Sequence, residues 1–343
     1  MIKPQAMKPP LNLQALSFLL GAFFCSSLQA SELNTAPSPA HHNIAIEGET
    51  ITPSERHLKT EVPYLNTESI IKAKSQPARL AIIIDDLGNS LRSGLDAIAL
   101  PAPITFAVMP HRKHSKTLAE RAGRLGKDVI LHAPMSTMND RKLGAGALRE
   151  ELGEHAFKEK LRFSIASIPF ISGVNNHMGS RLTTQPQAMK WVMEVLAQEQ
   201  LFFVDSRTHA QSVAYKTALK MGLPSANRDI FLDHEISLDH IHVQFKKALA
   251  IAKRYGSAIA IGHPHKPTLR YLNHVLPQLE GSNVAIHSIS DLLKGGIKVR
   301  PDSARESRPA KVPSLDLLVQ QLIHNNKPAI QRTAQQAKDA EVY

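Results

Sequence analysis

The rhythm of hydrophobic and polar positions changes at residue 78. Beyond it, short apolar runs of strand length alternate with amphipathic stretches whose apolar residues return every three or four positions. The first run lies in Arg79–Gly88, which reads R-L-A-I-I-I-D-D-L-G. Its Ala81–Ile84 core, with three consecutive β-branched Ile and no amphipathic spacing, predicts a strand buried on both faces. Further strands are predicted at Ile104–Met109, Val129–His132, Gly173–Asn176, Leu201–Val204, Ala258–Ile261 and Val284–Ser288. Helices are predicted at Leu91–Ala99, Ser115–Leu125, Glu154–Ser167, Gln187–Glu199 and Leu232 to about Tyr255, and a short one ends at Gly295-Gly296. Repeated strand–helix alternation predicts an α/β fold with a parallel sheet and right-handed crossovers. Its extent, residues 78–297, suits one distorted (β/α) barrel of about seven parallel strands. A doubly wound open sheet is the rival, but no G-x-G-x-x-G or phosphate loop follows any strand.

Outside that block the texture is different. Lys3 and Lys8 precede an apolar segment from about Leu11 to Leu28 that ends in small residues at Ala30. This predicts a cleaved secretory signal peptide over residues 1–30, with no transmembrane segment left after cleavage. Residues 31–77 are rich in Pro, Ser, Thr, His and Glu and read as a disordered linker. Residues 298–343 form a basic, largely disordered tail. The sole cysteine, Cys25, lies in the signal segment, so the mature chain needs neither disulfides nor a reducing compartment. The expected location is outside the cytoplasm, in the periplasm of a Gram-negative bacterium. The formal net charge is +11. In an exported protein this points to an anionic wall polymer or a membrane surface, and not to nucleic acid; other envelope proteins are further candidate partners.

The candidate chemistry stands where the predicted strands end, the edge at which parallel α/β proteins place their active groups. Asp85 and Asp86 follow the first strand, and strand alternation points them in different directions, so one can face a metal and the other a substrate. His132 ends the third strand. Asn176 and His177 end the fourth, Asp205 and Arg207 the fifth, and His263 and His265 follow the sixth. One Asp and two His form a normal three-ligand set for a divalent metal, zinc first. A second carboxylate can take a proton from water, and a further His can protonate a leaving amine. Asp205 and Arg207 read either as an ion pair or as a loop brace. Asp229 and Asp233 read as braces of a turn before the next helix. No G-x-S-x-G elbow is present to support a serine route.

In order, Ile83–Gly88, Phe106–Pro110, Leu131–Met135, Asn175–Ser180, Phe203–Thr208, Arg228–Asp233 and Gly262–His265 form a series that resembles the divergent polysaccharide deacetylases. That family is a branch of the carbohydrate esterase (NodB-homology) superfamily. The resemblance covers roughly Arg79 to Lys294 and implies a NodB-like barrel that removes N-acetyl groups from an envelope glycan such as peptidoglycan. It implies Asp85 as base, Asp86 and His132 as metal ligands, and His263 as the group that assists the leaving amine. Two departures stand out. The position four residues after His132, where the superfamily carries a second metal His, is Ser136, and no Arg-x-Pro-Tyr segment is present. His177, from the next strand end, is the candidate replacement ligand, and Asn176, Asp205, Arg207 and His265 are candidate substrate contacts. The departures also admit a catalytically inactive module that binds glycan or protein on the same scaffold.

Overall fold

A computed structural model of the chain describes residues 77–296. The expectations for the signal segment, the linker and the tail lie outside these described residues. The chain runs β1 (Ala78–Leu87), α1 (Leu91–Ile98), β2 (Thr105–Val108), α2 (Ser115–Arg124), β3 (Asp128–Met135), α3 (Glu154–Ala166), β4 (Ile171–Met178), α4 (Pro186–Gln198) and β5 (Phe202–Asp205). It continues through α5 (Ala214–Lys220), β6 (Ser225–Asn227), β7 (Ile230–Phe231), α6 (Leu238–Tyr255), β8 (Ser257–Gly262), α7 (Lys266–Val275), β9 (Val284–His287) and α8 (Ile289–Lys294). No helix among the described residues is long and apolar enough to cross a membrane.

All strand pairings are parallel, in the order β6-β5-β4-β3-β2-β1-β8-β7. β9 pairs with Ala78–Ala81, the part of β1 below its contact with β2. Among the described residues, β6 and β7 end the sheet without pairing to each other, which leaves the barrel of these strands open. The expected α/β barrel is thus present, with short additional strands at its margins. Neither β6 nor β7 is long enough to show a period in the sequence, and α5 is only two turns.

Strand alternation divides the interior into two layers. Leu80, Ile82 and Ile84 of β1 face outward and pack with Phe106, Val108 and the buried faces of the helices. Ala81 and Ile83 face inward and pack with Ala107, Ile130, Phe202, Val204, Ile259 and Ile261. Ile289 and Leu292 of α8 join this inner cluster from below. The helix is held there by Asp128, the first residue of β3, which accepts from the Ser290 N–H (3.1 Å) and hydroxyl (2.7 Å). Continuing each inward row by two residues reaches Asp85, His132, Asn175, His177, Ser206 and His263. The apolar cluster is therefore the floor on which the polar strand ends stand.

Helix α1 starts at Ser90, whose hydroxyl accepts from the Ser93 N–H at 3.3 Å. This leaves Asp86 and Asn89 free of the capping role. In β4, a Cβ on Gly173 would overlap the Phe202 ring. Gly173→Ala is expected to cost about 1–3 kcal/mol through overpacking, read as a fall in thermal midpoint of roughly 2–4 °C per kcal/mol. An unchanged midpoint would contradict this close approach of β4 and β5.

Candidate metal centre

The end of β1 does not continue as a regular strand. The pairing with β2 shifts register between Ile84 and Leu87, and Asp86 adopts φ +61°, a left-handed conformation uncommon for a side-chain-bearing residue. Bulges and strained residues of this kind re-aim side chains at functional sites. The consequence differs from simple alternation: both carboxylates turn toward one imidazole. His132 Nε2 lies 3.2 Å from Asp86 Oδ1 and 3.7 Å from Asp85 Oδ2.

From β4, His177 completes a triad. Its Nδ1 is 2.9 Å from Asp86 Oδ1 and 3.1 Å from His132 Nε2. A tetrahedral ion with bonds of about 2.0–2.1 Å has ligand–ligand edges of about 3.3 Å. The three observed edges are close to this value. Asp86 Oδ1 is sealed from solvent and receives no hydrogen bond of acceptable geometry, although two ring nitrogens stand beside it. An orphaned buried carboxylate oxygen facing two imidazole nitrogens is poor as a hydrogen-bond site and fits a divalent cation.

Asn175 fixes the orientation of the centre. Its amide Nδ2 donates to Asp85 Oδ1 at 2.8 Å, so its Oδ1 faces His132 Nδ1 at 2.7 Å. An amide oxygen only accepts, so Nδ1 of His132 carries a proton, and when the ring is neutral its Nε2 presents a lone pair to the centre. Such outer partners set ligand orientation and basicity. Asn175→Ala is expected to weaken metal binding by about 10- to 100-fold, measured by competition with a chelating dye. An unchanged affinity would remove Asn175 from the account.

Electrostatics separate the groups further. Burial pushes the Asp85 carboxyl above the usual range, against the pull of His132, His263 and Asn175. Burial would also raise Asp86, but the contacts with His132 and His177 outweigh it and hold this carboxyl well below the usual range. Burial lowers His177, whereas in His132 the opposing attraction of Asp85 and Asp86 prevails and raises it. His263 lies across the mouth, its Nε2 3.9 Å from Asp86 Oδ2. Burial alone would lower it. The hydrogen bond to Asp233 and the charges of Asp85, Asp233 and Asp86 instead carry it to about 9. Asp233 is buried and holds His263 at two points, accepting from the backbone N–H at 2.7 Å and from Nδ1 at 3.0 Å. Thr268 donates to the same carboxylate at 2.7 Å.

The sequence profile of divergent polysaccharide deacetylases matches residues 82–293. The chain belongs to that family. It is 35% identical over 201 residues to the uncharacterized protein YibQ of Escherichia coli, a match covering 59% of this chain and 63% of that protein. An uncharacterized protein of Haemophilus influenzae is 36% identical over 202 residues, 59% of this chain and 72% of the relative. The chain therefore spans less than two thirds of the E. coli protein's length. The crystal structure of an uncharacterized protein of Agrobacterium tumefaciens shares the fold, with a TM-score of 0.61, 24% identity, and coverage of 64% of this chain and 90% of that one.

Within this deacetylase-family scaffold, Ser136 is buried after β3 and its hydroxyl donates to Glu150, which Arg181 also engages at 3.2 Å. The position is spent on bracing a loop. Other candidates from the sequence take positioning places, not open ones. Asn176 is buried, with Nδ2 donating to the Met178 carbonyl at 2.7 Å and Oδ1 accepting from the Ser206 N–H at 2.8 Å. Asp205 is buried and accepts from the Arg207 N–H at 2.7 Å and the Ser212 hydroxyl at 2.7 Å. These contacts engage the polar atoms of Asn176 and Asp205 in shaping the β4 and β5 loops. Arg207 is half-buried in the same turn with φ +47°. Asp229 accepts from the Ile259 N–H of β8 at 2.9 Å, a brace to the sheet and a different contact from the turn brace expected. Asp233 does not merely brace a turn, since it is the partner of His263. The ring of His265 lies 5.8 Å from that of His263. Predicted helix Leu232–Tyr255 begins only at Leu238, after the Ser237 cap, because Leu232 and Asp233 serve the sheet and His263.

Proposed function

We propose that this chain is an exported, metal-dependent hydrolase that removes N-acetyl groups from an envelope glycan such as peptidoglycan. The observation that carries the reading is the convergence of Asp86, His132 and His177 within 2.9–3.2 Å of one another, with Asp85 on one side and His263 on the other. Asp86, His132 and His177 would hold a divalent ion, zinc by the chemistry of these donors, which would supply Lewis acidity toward an acyl oxygen and water. Asp85, raised by burial, takes the proton of the attacking water. His263, protonated at neutral pH, gives its proton to the leaving nitrogen as the C–N bond breaks. The products are acetate and the free amino sugar. Asp233 keeps the donor ring aimed and charged, and Asn175 keeps Asp85 and His132 in register. The basic, apolar and small-residue sequence of the first thirty positions supports export, and the charge of +11 supports an anionic envelope partner.

A second reading is favoured by the loop-bracing Ser136 and the missing Arg-x-Pro-Tyr segment: a module that binds glycan through the same mouth without turnover. The two separate in one assay. Zinc-loaded protein incubated with chitotetraose or peptidoglycan glycan strands is expected to release acetate, and a chelator is expected to stop it. Glycan retention that is indifferent to chelator and to Asp85→Asn, with no acetate under any divalent metal, would establish the binding module instead.

A further inference from the structure

A groove between α1 and α7 is not used by the chemistry above. Both helices leave the mouth of the sheet, α1 shortly after Asp86 and α7 directly after His265. The groove between them has a volume of about 350 Å³, at the small end for ligand-binding clefts. Arg92 lines it from α1, and Lys266 and Arg270 line it from α7, against one carboxylate, Asp96. Lys266 and Arg270 are four residues apart and so share one helix face. Among the described residues, none of these three cations makes a hydrogen bond or an ion pair. Lys158, Arg162 and Arg181, by contrast, are paired with Glu194, Glu159 and Glu150. The first turn of α7 opens on the same groove, adding the positive end of a helix of ten residues. Three exposed like charges gathered on one groove repel one another. Pro264, which follows His263 in the chain, belongs to the groove wall.

We propose that this groove binds a carboxylate carried by the same glycan whose acyl group lies at the metal centre, and so selects acidic glycans over neutral ones. The assignment of an anion rests on the groove itself; its placement on the substrate rests on the deacetylase reading. Guanidinium groups bind carboxylate and phosphate alike, so the test must separate a glycan carboxylate from a free anion.

The experiment uses the zinc-loaded full chain in calorimetric titrations at low ionic strength. The probes are neutral chitotetraose, a tetrasaccharide alternating N-acetylglucosamine with N-acetylmuramic acid, whose lactyl groups are carboxylates, and inorganic phosphate. The acidic tetrasaccharide is expected to bind about tenfold more tightly than the neutral one, the gain of a charge-assisted contact. Combined Arg92→Gln and Arg270→Gln substitutions are expected to erase that difference while leaving chitotetraose affinity and zinc content unchanged. Phosphate is expected to bind more weakly than the acidic tetrasaccharide. Equal affinity for the two glycans, a preference that survives the double substitution, or phosphate binding as tight as the acidic glycan would overturn the proposal. Acetate release from chitotetraose on the same samples reports the deacetylase reading separately. A lost preference with acetate release intact removes the groove alone, and an intact preference without acetate release leaves the groove standing.

Discussion

His177→Ala is expected to raise the dissociation constant for zinc by at least about a hundredfold, while the protein keeps its cooperative thermal unfolding. The effect follows from the donor count. Asp86, His132 and His177 each supply one atom to a cluster with edges of 2.9–3.2 Å, and two ligands without the third hold an open-site ion poorly. His265→Ala is the informative control: it is near His263 but outside the triad, so zinc content should not change. The alternative assignment, in which a residue near Ser136 supplies the third ligand as elsewhere in the superfamily, predicts the reverse for His177→Ala, namely full zinc occupancy. Metal uptake should also strengthen as pH rises. His132 attracts a proton in the ion-free state, through Asp85 and Asp86 against burial, and that proton must leave before the ring can coordinate. Affinity independent of pH between 5 and 8 would argue against imidazole ligation.

Asp85→Asn is expected to reduce acetate release by about 10²- to 10⁴-fold, the range of a lost general base, with zinc content unchanged. Asp85 lies near the ion cluster but outside it, 3.7 Å from His132 Nε2, and its other oxygen is held by Asn175. An amide at this place preserves the hydrogen bonds better than it preserves basicity. The companion test concerns the acid. His263 titrates at about 9 in the folded protein, against 6.5 for an unperturbed imidazole. Its protonated form therefore stabilises the fold fully below 6.5, and that contribution is lost as pH rises through about 9. Activity that needs the same proton should fall along an alkaline limb near pH 9. Asp233→Asn should move that limb toward neutral pH, because the carboxylate that stabilises the imidazolium is gone. A limb that stays in place would assign the proton donor elsewhere.

Much of this centre was legible in the chain because strand alternation and strand ends are sequence properties. Ala81, Ile83 and Asp85 fall on one face of β1, Ile130 and His132 on one face of β3, and Asn175 and His177 on one face of β4. Once the strands are placed, the imidazoles and carboxylates must meet. What alternation cannot give is the aim of Asp86. That depends on a register shift and a left-handed backbone, and regular geometry would have turned it away from its neighbour. The choice between Asn175 and Asn176 was also hidden, since one residue of register decides which amide faces inward. Asp233 escaped because its partner lies thirty residues away, and a carboxylate before a helix normally caps or braces. Pro264 and Pro267 hide the helix of Lys266–Val275 from a reading of the sequence, although Pro in a first helical turn is well tolerated.

The central claim is that three side chains from β1, β3 and β4 hold one ion. Zinc K-edge absorption on metal-loaded protein, combined with its elemental stoichiometry, tests it most directly. The account predicts about one zinc per chain with only nitrogen and oxygen neighbours at about 2.0–2.1 Å, an imidazole scattering signature from two rings, and loss of that signature in His132→Ala and His177→Ala. Substoichiometric zinc, or a spectrum unchanged by both substitutions, would contradict it.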